Sequence, residues 1–94
     1  MKAIVVAGLA LAGLILAGSA NASTELAKKS GCLNCHAVDT KKVGPAFKEI
    51  ATRQKGKAGA DTTLVAKLMA GKEHPKVKAS EDETKALVKW ILAM

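Results

Sequence analysis

The sequence predicts an all-α domain of about four short helices whose small apolar core needs additional support. Apolar residues recur at helical spacing in four segments, and no strand-like pattern extends beyond three residues. Phe47 and Trp90 are the only large aromatic residues. Side chains alone rarely stabilise so small a domain, so we expect a disulfide, a metal or a cofactor at its centre.

The first 22 residues have the pattern of a secretory signal peptide. Lys2 precedes an unbroken apolar run over residues 3–17, which is short for a membrane span. Ala20 and Ala22 supply the small residues that signal peptidase requires, so we expect cleavage after Ala22. An uncleaved membrane anchor is the alternative. The expected mature domain is residues 23–94, exported to the periplasm without stable membrane insertion.

The charge balance favours protein partners over nucleic acid. The leader contains one lysine and no acidic residue, so its removal lowers the formal net charge from +7 to +6. A basic surface suits acidic protein partners or an anionic membrane surface. Arg53 is the single arginine and aromatic residues are scarce, which argues against a nucleic-acid interface. Nothing in the sequence indicates an obligate oligomer, so we expect a monomer.

The first two helices are predicted from their caps and apolar spacing. Residues 24–30 form the first helix, with Ser23 or Thr24 as its cap and Gly31 at its end. Residues 46–54 form the second helix, which Pro45 opens. One face of this helix is apolar and consists of Phe47, Ile50 and Ala51.

The third helix is expected over residues 62–70. Asp61 is its predicted N-cap, and Gly71 ends it. Apolar side chains four residues apart give this helix one packing face, made by Leu64 with Leu68 and by Val65 with Met69.

A polar loop over residues 72–79 leads to the fourth helix, expected over residues 81–93. Ser80 and Glu83 have the spacing of a capping box at its start. The helix has a broad apolar face that includes Leu87, Val88, Trp90 and Ile91.

The chemistry of the chain is concentrated in the segment Cys32-Leu33-Asn34-Cys35-His36. This C-x-x-C-H pattern is typical of covalent c-type haem attachment. Two thiols three positions apart on a tight helical turn can reach the two vinyl groups of one porphyrin. His36 follows directly, which places its imidazole beneath the iron.

Three other uses of the cysteines fit the sequence less well. A redox-active C-x-x-C disulfide usually begins a helix in a βαβ unit, and no strand is predicted here. A structural zinc site needs two further ligands, and only His74 remains. A plain disulfide between residues three apart closes a very small loop with poor geometry.

The mature sequence resembles the small class I bacterial cytochromes c of the type called cytochrome c-551 or c8. The resemblance covers nearly all of the mature chain, and its most specific segments are residues 31–37, 39–47 and 87–92. It implies a compact class I cytochrome c fold of short helices around one covalently bound haem c. The N-terminal and C-terminal helices would cross.

The same resemblance implies roles for two residues that follow the motif. The carbonyl group of Pro45 would accept a hydrogen bond from the far nitrogen of His36, which fixes the ring and raises its basicity. Phe47 would pack near the haem, where simple filling of the core is the more general role of an aromatic ring.

The family's second axial ligand is a methionine in a loop before the last helix, and that loop of this sequence has none. It contains His74 instead, which Pro75 biases toward an extended backbone. Met69 lies within the third predicted helix, at a spacing that pairs it with Val65. Three states of the iron therefore stay open: ligation by His74, an open or water-bound position, and ligation by Met69.

These features predict a periplasmic electron carrier rather than an enzyme, since the sequence offers no acid–base constellation for catalysis. Imidazole as second ligand would give a lower potential than a thioether. The alternative is an NO- or CO-binding or sensing protein with an open sixth iron position. Redox partners with acidic docking surfaces would be steered by lysines near the motif, namely Lys28, Lys29, Lys41, Lys42 and Lys48.

Overall fold

The computed structural model describes residues 23–94, and the predicted leader lies outside the described residues. Four α-helices follow one another in this part of the chain, and a 3₁₀ turn separates the first two. No strand occurs within residues 23–94, so the predicted all-α fold class is confirmed. The elements are α1 (Thr24–Lys29), the 3₁₀ turn (Cys32–Asn34), α2 (Phe47–Gln54), α3 (Ala60–Ala70) and α4 (Glu81–Leu92).

The first two helices agree with the sequence prediction to within one residue. Helix α1 ends at Lys29, and Gly31 then adopts a left-handed φ of 89°, which turns the chain into the 3₁₀ segment. Helix α2 begins at Phe47, with Ala46 in the extended N-cap position. Pro45 therefore lies just before the cap rather than in the first turn.

Helix α3 begins earlier than the sequence predicts. Gly59 is the N-cap with a left-handed φ of 75°, and the helix starts at Ala60. The predicted N-cap at Asp61 is wrong, because the glycine turns the chain into the helix before Asp61 is reached. Asp61 lies in the first turn, where a carboxylate interacts favourably with the positive end of the helix. Gly71 ends the helix as predicted, with a φ of 68°.

Helix α4 has the predicted capping box. The Ser80 hydroxyl accepts a hydrogen bond from the backbone N–H of Glu83 at 3.1 Å, and a Glu83 carboxylate oxygen accepts one from the N–H of Ser80 at 3.0 Å. Two otherwise unpaired N–H groups at the start of the helix are thereby satisfied.

The apolar core lies where α1 and α2 pack on α4. Its buried members are Ala27, Phe47, Leu87 and Ile91. Ala27 has no exposed surface, and its small side chain allows α1 to lie close to α4. By contrast, no residue of α3 is fully buried, although its leucines, valine and methionine are half-buried. Among the described residues, no helix is long and apolar enough to cross a bilayer.

Candidate haem-binding site

A cleft of about 580 Å³ opens between the 3₁₀ turn, α2, α3 and the loop that precedes α4. Sites for cofactors and other small molecules typically have volumes of about 300–1,000 Å³ and mostly apolar walls. The walls here include Phe47, Ile50, Leu64, Leu68, Val88 and Ile91. The partial exposure of α3 is therefore explained, because part of its apolar face lines the cleft instead of packing on another helix.

All three reactive side chains of the C-x-x-C-H segment line this cleft. The tight turn brings them together, because the backbone N–H groups of Cys35 and His36 both donate to the carbonyl oxygen of Cys32, at 3.2 and 2.9 Å. Both thiols are half-buried and are not joined in a disulfide. Burial raises the pKa of the Cys32 thiol, and a hydrogen bond from its own backbone N–H opposes this only in part.

The ring of His36 is oriented by a backbone carbonyl. Its Nδ1 lies 2.6 Å from the carbonyl oxygen of Pro45. Because a carbonyl oxygen can only accept, Nδ1 must carry the proton. Nε2 is then the nitrogen left to bind a metal, which is the usual arrangement of a metal-binding histidine.

The chain after His36 folds back over the ring and is fixed by backbone hydrogen bonds. The N–H of Gly44 donates to the carbonyl of Cys35 at 2.7 Å, and the N–H of Phe47 donates to the carbonyl of Ala37 at 2.9 Å. Gly44 lies so close to the imidazole that an added Cβ would be 2.5 Å from Cε1 of His36. Sequence reasoning missed Gly44, although its position before Pro45 was a signal for a close backbone approach.

Phe47 connects this site to the apolar core. Its ring is 1% exposed, and its centroid lies 5.4 Å from that of His36 and 5.8 Å from that of Trp90. The contact with Trp90 is edge-to-face, a favourable arrangement for two aromatic rings. Phe47 therefore lines the cleft and fills the core at the same time.

His74 also lines the cleft, from the loop before α4. Its ring centroid lies 6.0 Å from that of His36, and the two ring planes differ by 12°. Its Nδ1 lies 2.7 Å from the carbonyl oxygen of Pro75. Met69 is not among the cleft residues, whereas its neighbours Lys67 and Leu68 are.

The charged residues at the cleft differ from the lysines singled out in the sequence. Four cations and one acid line it: Arg53, Lys67, Lys76, Lys78 and Glu73. Of the lysines near the motif, Lys48 pairs with Asp39 at 2.6 Å and Lys42 donates to the carbonyl of Leu33 at 2.9 Å. The cleft cations come from α2, α3 and the loop after α3, so their proximity depends on the tertiary fold.

The residues of the cleft fit a haem better than a bare metal ion. Within residues 23–94 no group of three or more His, Cys, Asp or Glu side chains is arranged to hold a metal. A porphyrin supplies four nitrogens in its own plane, so the protein needs to provide only axial ligands. Two thiols, a correctly protonated imidazole and apolar walls are the groups that covalent haem attachment requires.

Comparison with known sequences agrees with this chemistry. Residues 20–94 match the sequence model of the family described as Cytochrome c. The chain is 39% identical to cytochrome c-552 of Nitrosomonas europaea, in an alignment covering 100% of this chain and 99% of that protein. It is 37% identical to cytochrome c-551 of Pseudomonas aeruginosa, with 99% of this chain and 98% of that protein covered.

Solved structures give the same result for the fold. The crystal structure of wild-type Nitrosomonas europaea cytochrome c552 superposes with a TM-score of 0.68 at 40% identity, covering 76% of this chain and 98% of that chain. The class 1 cytochrome MtoD from Sideroxydans lithotrophicus ES-1 gives a TM-score of 0.67 at 32% identity, covering 79% of this chain and 94% of that chain. The chain therefore belongs to the cytochrome c family, as a small class I member whose cofactor is covalent haem c.

Proposed function

We propose that this protein is a periplasmic electron carrier in which Cys32 and Cys35 attach the haem and Nε2 of His36 binds its iron. The observation that supports this most directly is that both thiols and the imidazole line one apolar cleft. When bound, haem c supplies an iron that alternates between the ferric and ferrous states. The protein itself makes and breaks no substrate bond, so we do not consider it an enzyme.

The residues around the cleft tune the ease of iron reduction. The Pro45 carbonyl, 2.6 Å from Nδ1 of His36, increases the electron density on the imidazole and so favours the ferric state. The apolar walls would disfavour the additional positive charge of ferric iron. These two effects would act in opposite directions on the reduction potential.

Export to the periplasm is supported by the leader pattern in residues 1–22. A positive residue, a short apolar run and an Ala-x-Ala site occur there in the order that secretion requires. Export also agrees with the C-x-x-C-H segment, since cytochromes c are assembled outside the cytoplasm. We therefore propose that a monomer of residues 23–94 works in the periplasm.

Redox partners are proposed to dock at the cleft through acidic surfaces. Positive charge prevails there, because Lys67, Lys76 and Lys78 outnumber Glu73, while Arg53 is paired with Glu49 at 2.9 Å. Val43 also lines the cleft and is 81% exposed, which gives the surface an apolar contact. Charge complementarity of this kind raises association rates while leaving complexes short-lived, as electron exchange requires.

A spectroelectrochemical titration of the mature holoprotein tests the carrier function. We expect one reversible, one-electron transition in the visible spectrum, with the same midpoint in the oxidative and reductive directions. The reduced protein should transfer its electron to an acceptor of higher potential without any added substrate. An irreversible transition, or oxidation that requires a consumed substrate, would contradict the carrier function.

A further inference from the structure

We propose that His74 is the second axial ligand of the haem iron, so that the iron lies between two imidazoles, each oriented by a proline carbonyl. This inference rests on the proposed function, because it requires haem attached at Cys32 and Cys35. It assigns an iron-binding role to a loop residue outside the C-x-x-C-H segment.

The spacing of the two rings fits one metal ion between them. Imidazole nitrogens bind first-row metals at about 2 Å, so two imidazoles on opposite sides of one ion have ring centres roughly 6 Å apart. The centroids of His36 and His74 are 6.0 Å apart, and both rings line the same cleft. The loop therefore places the two rings at the separation that one ion between them requires.

Both rings also have the same hydrogen bond on the same nitrogen. Nδ1 of His74 lies 2.7 Å from the carbonyl of Pro75, and Nδ1 of His36 lies 2.6 Å from the carbonyl of Pro45. Each carbonyl accepts, so Nδ1 is protonated in both rings and Nε2 is the nitrogen left to bind a metal. Histidines that bind a metal almost always donate their other ring N–H in this way, so the match is the one expected of two ligands of one iron.

Two long backbone hydrogen bonds connect the loop after His74 to residues that line the cleft. The N–H of Lys78 donates to the carbonyl of Ser30, and that of Val77 donates to the carbonyl of Leu68, both at 3.4 Å. Directly before His74, Glu73 has a left-handed φ of 56°, which is uncommon for a residue with a side chain. Such conformations persist where the surrounding structure determines them, and functional sites are common among these places.

The rival states of the iron have less support. Met69 is on α3 but does not line the cleft, so its thioether would need a rotation of the helix to reach the iron. An open position would require the His74 ring to move away from its present distance to His36. Ligation by His74 should give a lower potential than the thioether ligand of the family, because imidazole is the stronger donor to ferric iron.

Electronic and EPR spectra of the purified holoprotein test this assignment. We expect the wild type to be low-spin in the ferric state and to bind CO only weakly in the ferrous state. His74→Ala should become high-spin and bind CO, and added imidazole should restore its low-spin spectrum. Met69→Leu is the matched control and should keep the wild-type spectrum. His74→Met should stay low-spin with a higher potential.

The outcomes separate this inference from the proposed function. A wild type without covalent haem would overturn both. A wild type with covalent haem that is high-spin, or a His74→Ala variant that stays low-spin without added imidazole, would overturn only the role of His74. If His74→Ala does not accumulate, the wild-type EPR spectrum answers the question: the signal of two nearly parallel imidazoles supports the assignment, and a thioether or high-spin signal contradicts it.

Discussion

His36 donates a hydrogen bond from Nδ1 to the carbonyl oxygen of Pro45 at a distance of 2.6 Å, across nine residues of sequence. The loop between them is held in place, since the N–H of Gly44 donates to the carbonyl of Cys35 at 2.7 Å. The orientation of the imidazole therefore depends on backbone that contains no ligand. Changes in this loop should alter the iron site without touching the iron.

Replacing Gly44 with alanine should displace the imidazole of His36. The added Cβ would lie 2.5 Å from Cε1 and 2.9 Å from Nδ1 of the ring, closer than atoms in contact can remain. Overpacking of this kind costs about 1–3 kcal/mol, and we expect the hydrogen bond to Pro45 to lengthen. Visible spectra and the reduction potential of the holoprotein should both change.

Gly56→Ala is the control for this substitution. Gly56 has a φ of 79° and open space around its Cα, so alanine there is strained but contacts no imidazole. We expect a loss of stability of roughly 1 kcal/mol with an unchanged haem spectrum. Equal spectral changes in both variants would show that Gly44 acts through general stability alone.

Shortening Phe47 to alanine should cost the holoprotein about 3–5 kcal/mol of unfolding free energy, the usual range for a fully buried phenylalanine. The ring is 1% exposed and contacts both His36 and Trp90, so its loss leaves a cavity beside the cleft. Phe47→Leu fills more of the space and should cost less than the alanine variant. Urea unfolding monitored by Trp90 fluorescence measures both, and a loss below about 1 kcal/mol for Phe47→Ala would contradict this packing role.

Acid should weaken the start of α4 through Glu83. Hydrogen bonds from the backbone N–H of Ser80, and then from its side chain, hold the pKa of the Glu83 carboxyl below its usual value. A pKa that is lower in the folded state contributes stability above the unfolded pKa of about 4.3, and this contribution is lost as the pH falls through the folded pKa. The unfolding free energy of the wild type should therefore decrease on acidification in this range.

Glu83→Gln isolates this effect, because the amide can still accept the hydrogen bond but does not titrate. We expect the variant to have a flatter stability profile below a pH of about 4.3. Ser80→Ala should remove about 1 kcal/mol at neutral pH through loss of the cap. Chemical denaturation gives the unfolding free energy at each pH. If its dependence on pH is the same for the wild type and Glu83→Gln, the capping box does not respond to pH.

Electron transfer to an acidic redox protein should slow as salt is added. The cations at the cleft attract such a partner, and ions screen that attraction over about 10 Å at 0.1 M salt. Lys67→Glu should lower the second-order rate constant several-fold at low ionic strength and reduce its dependence on salt. Stopped-flow reduction kinetics over a salt series measure both quantities.

Lys57→Glu makes the same change of charge away from the cleft, in the loop before α3. We expect a much smaller effect on the rate, since only the overall net charge changes. A second-order rate constant that does not change with salt concentration would contradict docking at the cleft. Equal slowing by both variants would contradict it as well.

Much of the fold was predictable because the signals are local. The capping box of Ser80 and Glu83 and the terminal Gly71 were found in the sequence, since each involves residues within one helical turn. The N-cap of α3 was not, because a left-handed glycine two residues before Asp61 begins the helix without a side-chain cap. In the absence of a side-chain signal, capping rules selected the wrong residue.

The same distinction between local and tertiary signals applies to the residues of the site. Cys32, Cys35 and His36 lie within five residues of one another, so the motif was sufficient to predict that they share one site, and all three line the cleft. Two features of the site depend on tertiary packing: the contact of Gly44 with the imidazole and the position of Lys67 at the cleft. The cations that line the cleft could therefore be found only from the fold, and the steering role of the lysines near the motif stays a prediction.

The mass of the intact protein under denaturing conditions tests the central claim, covalent haem at Cys32 and Cys35, most directly. The protein should be purified from the periplasm of a host that assembles c-type cytochromes. We predict a single species whose polypeptide begins at Ser23 and retains one haem after unfolding, and a double Cys32→Ala, Cys35→Ala variant that retains none. A wild-type chain that releases its haem in denaturant, or has the mass of the polypeptide alone, would contradict the account.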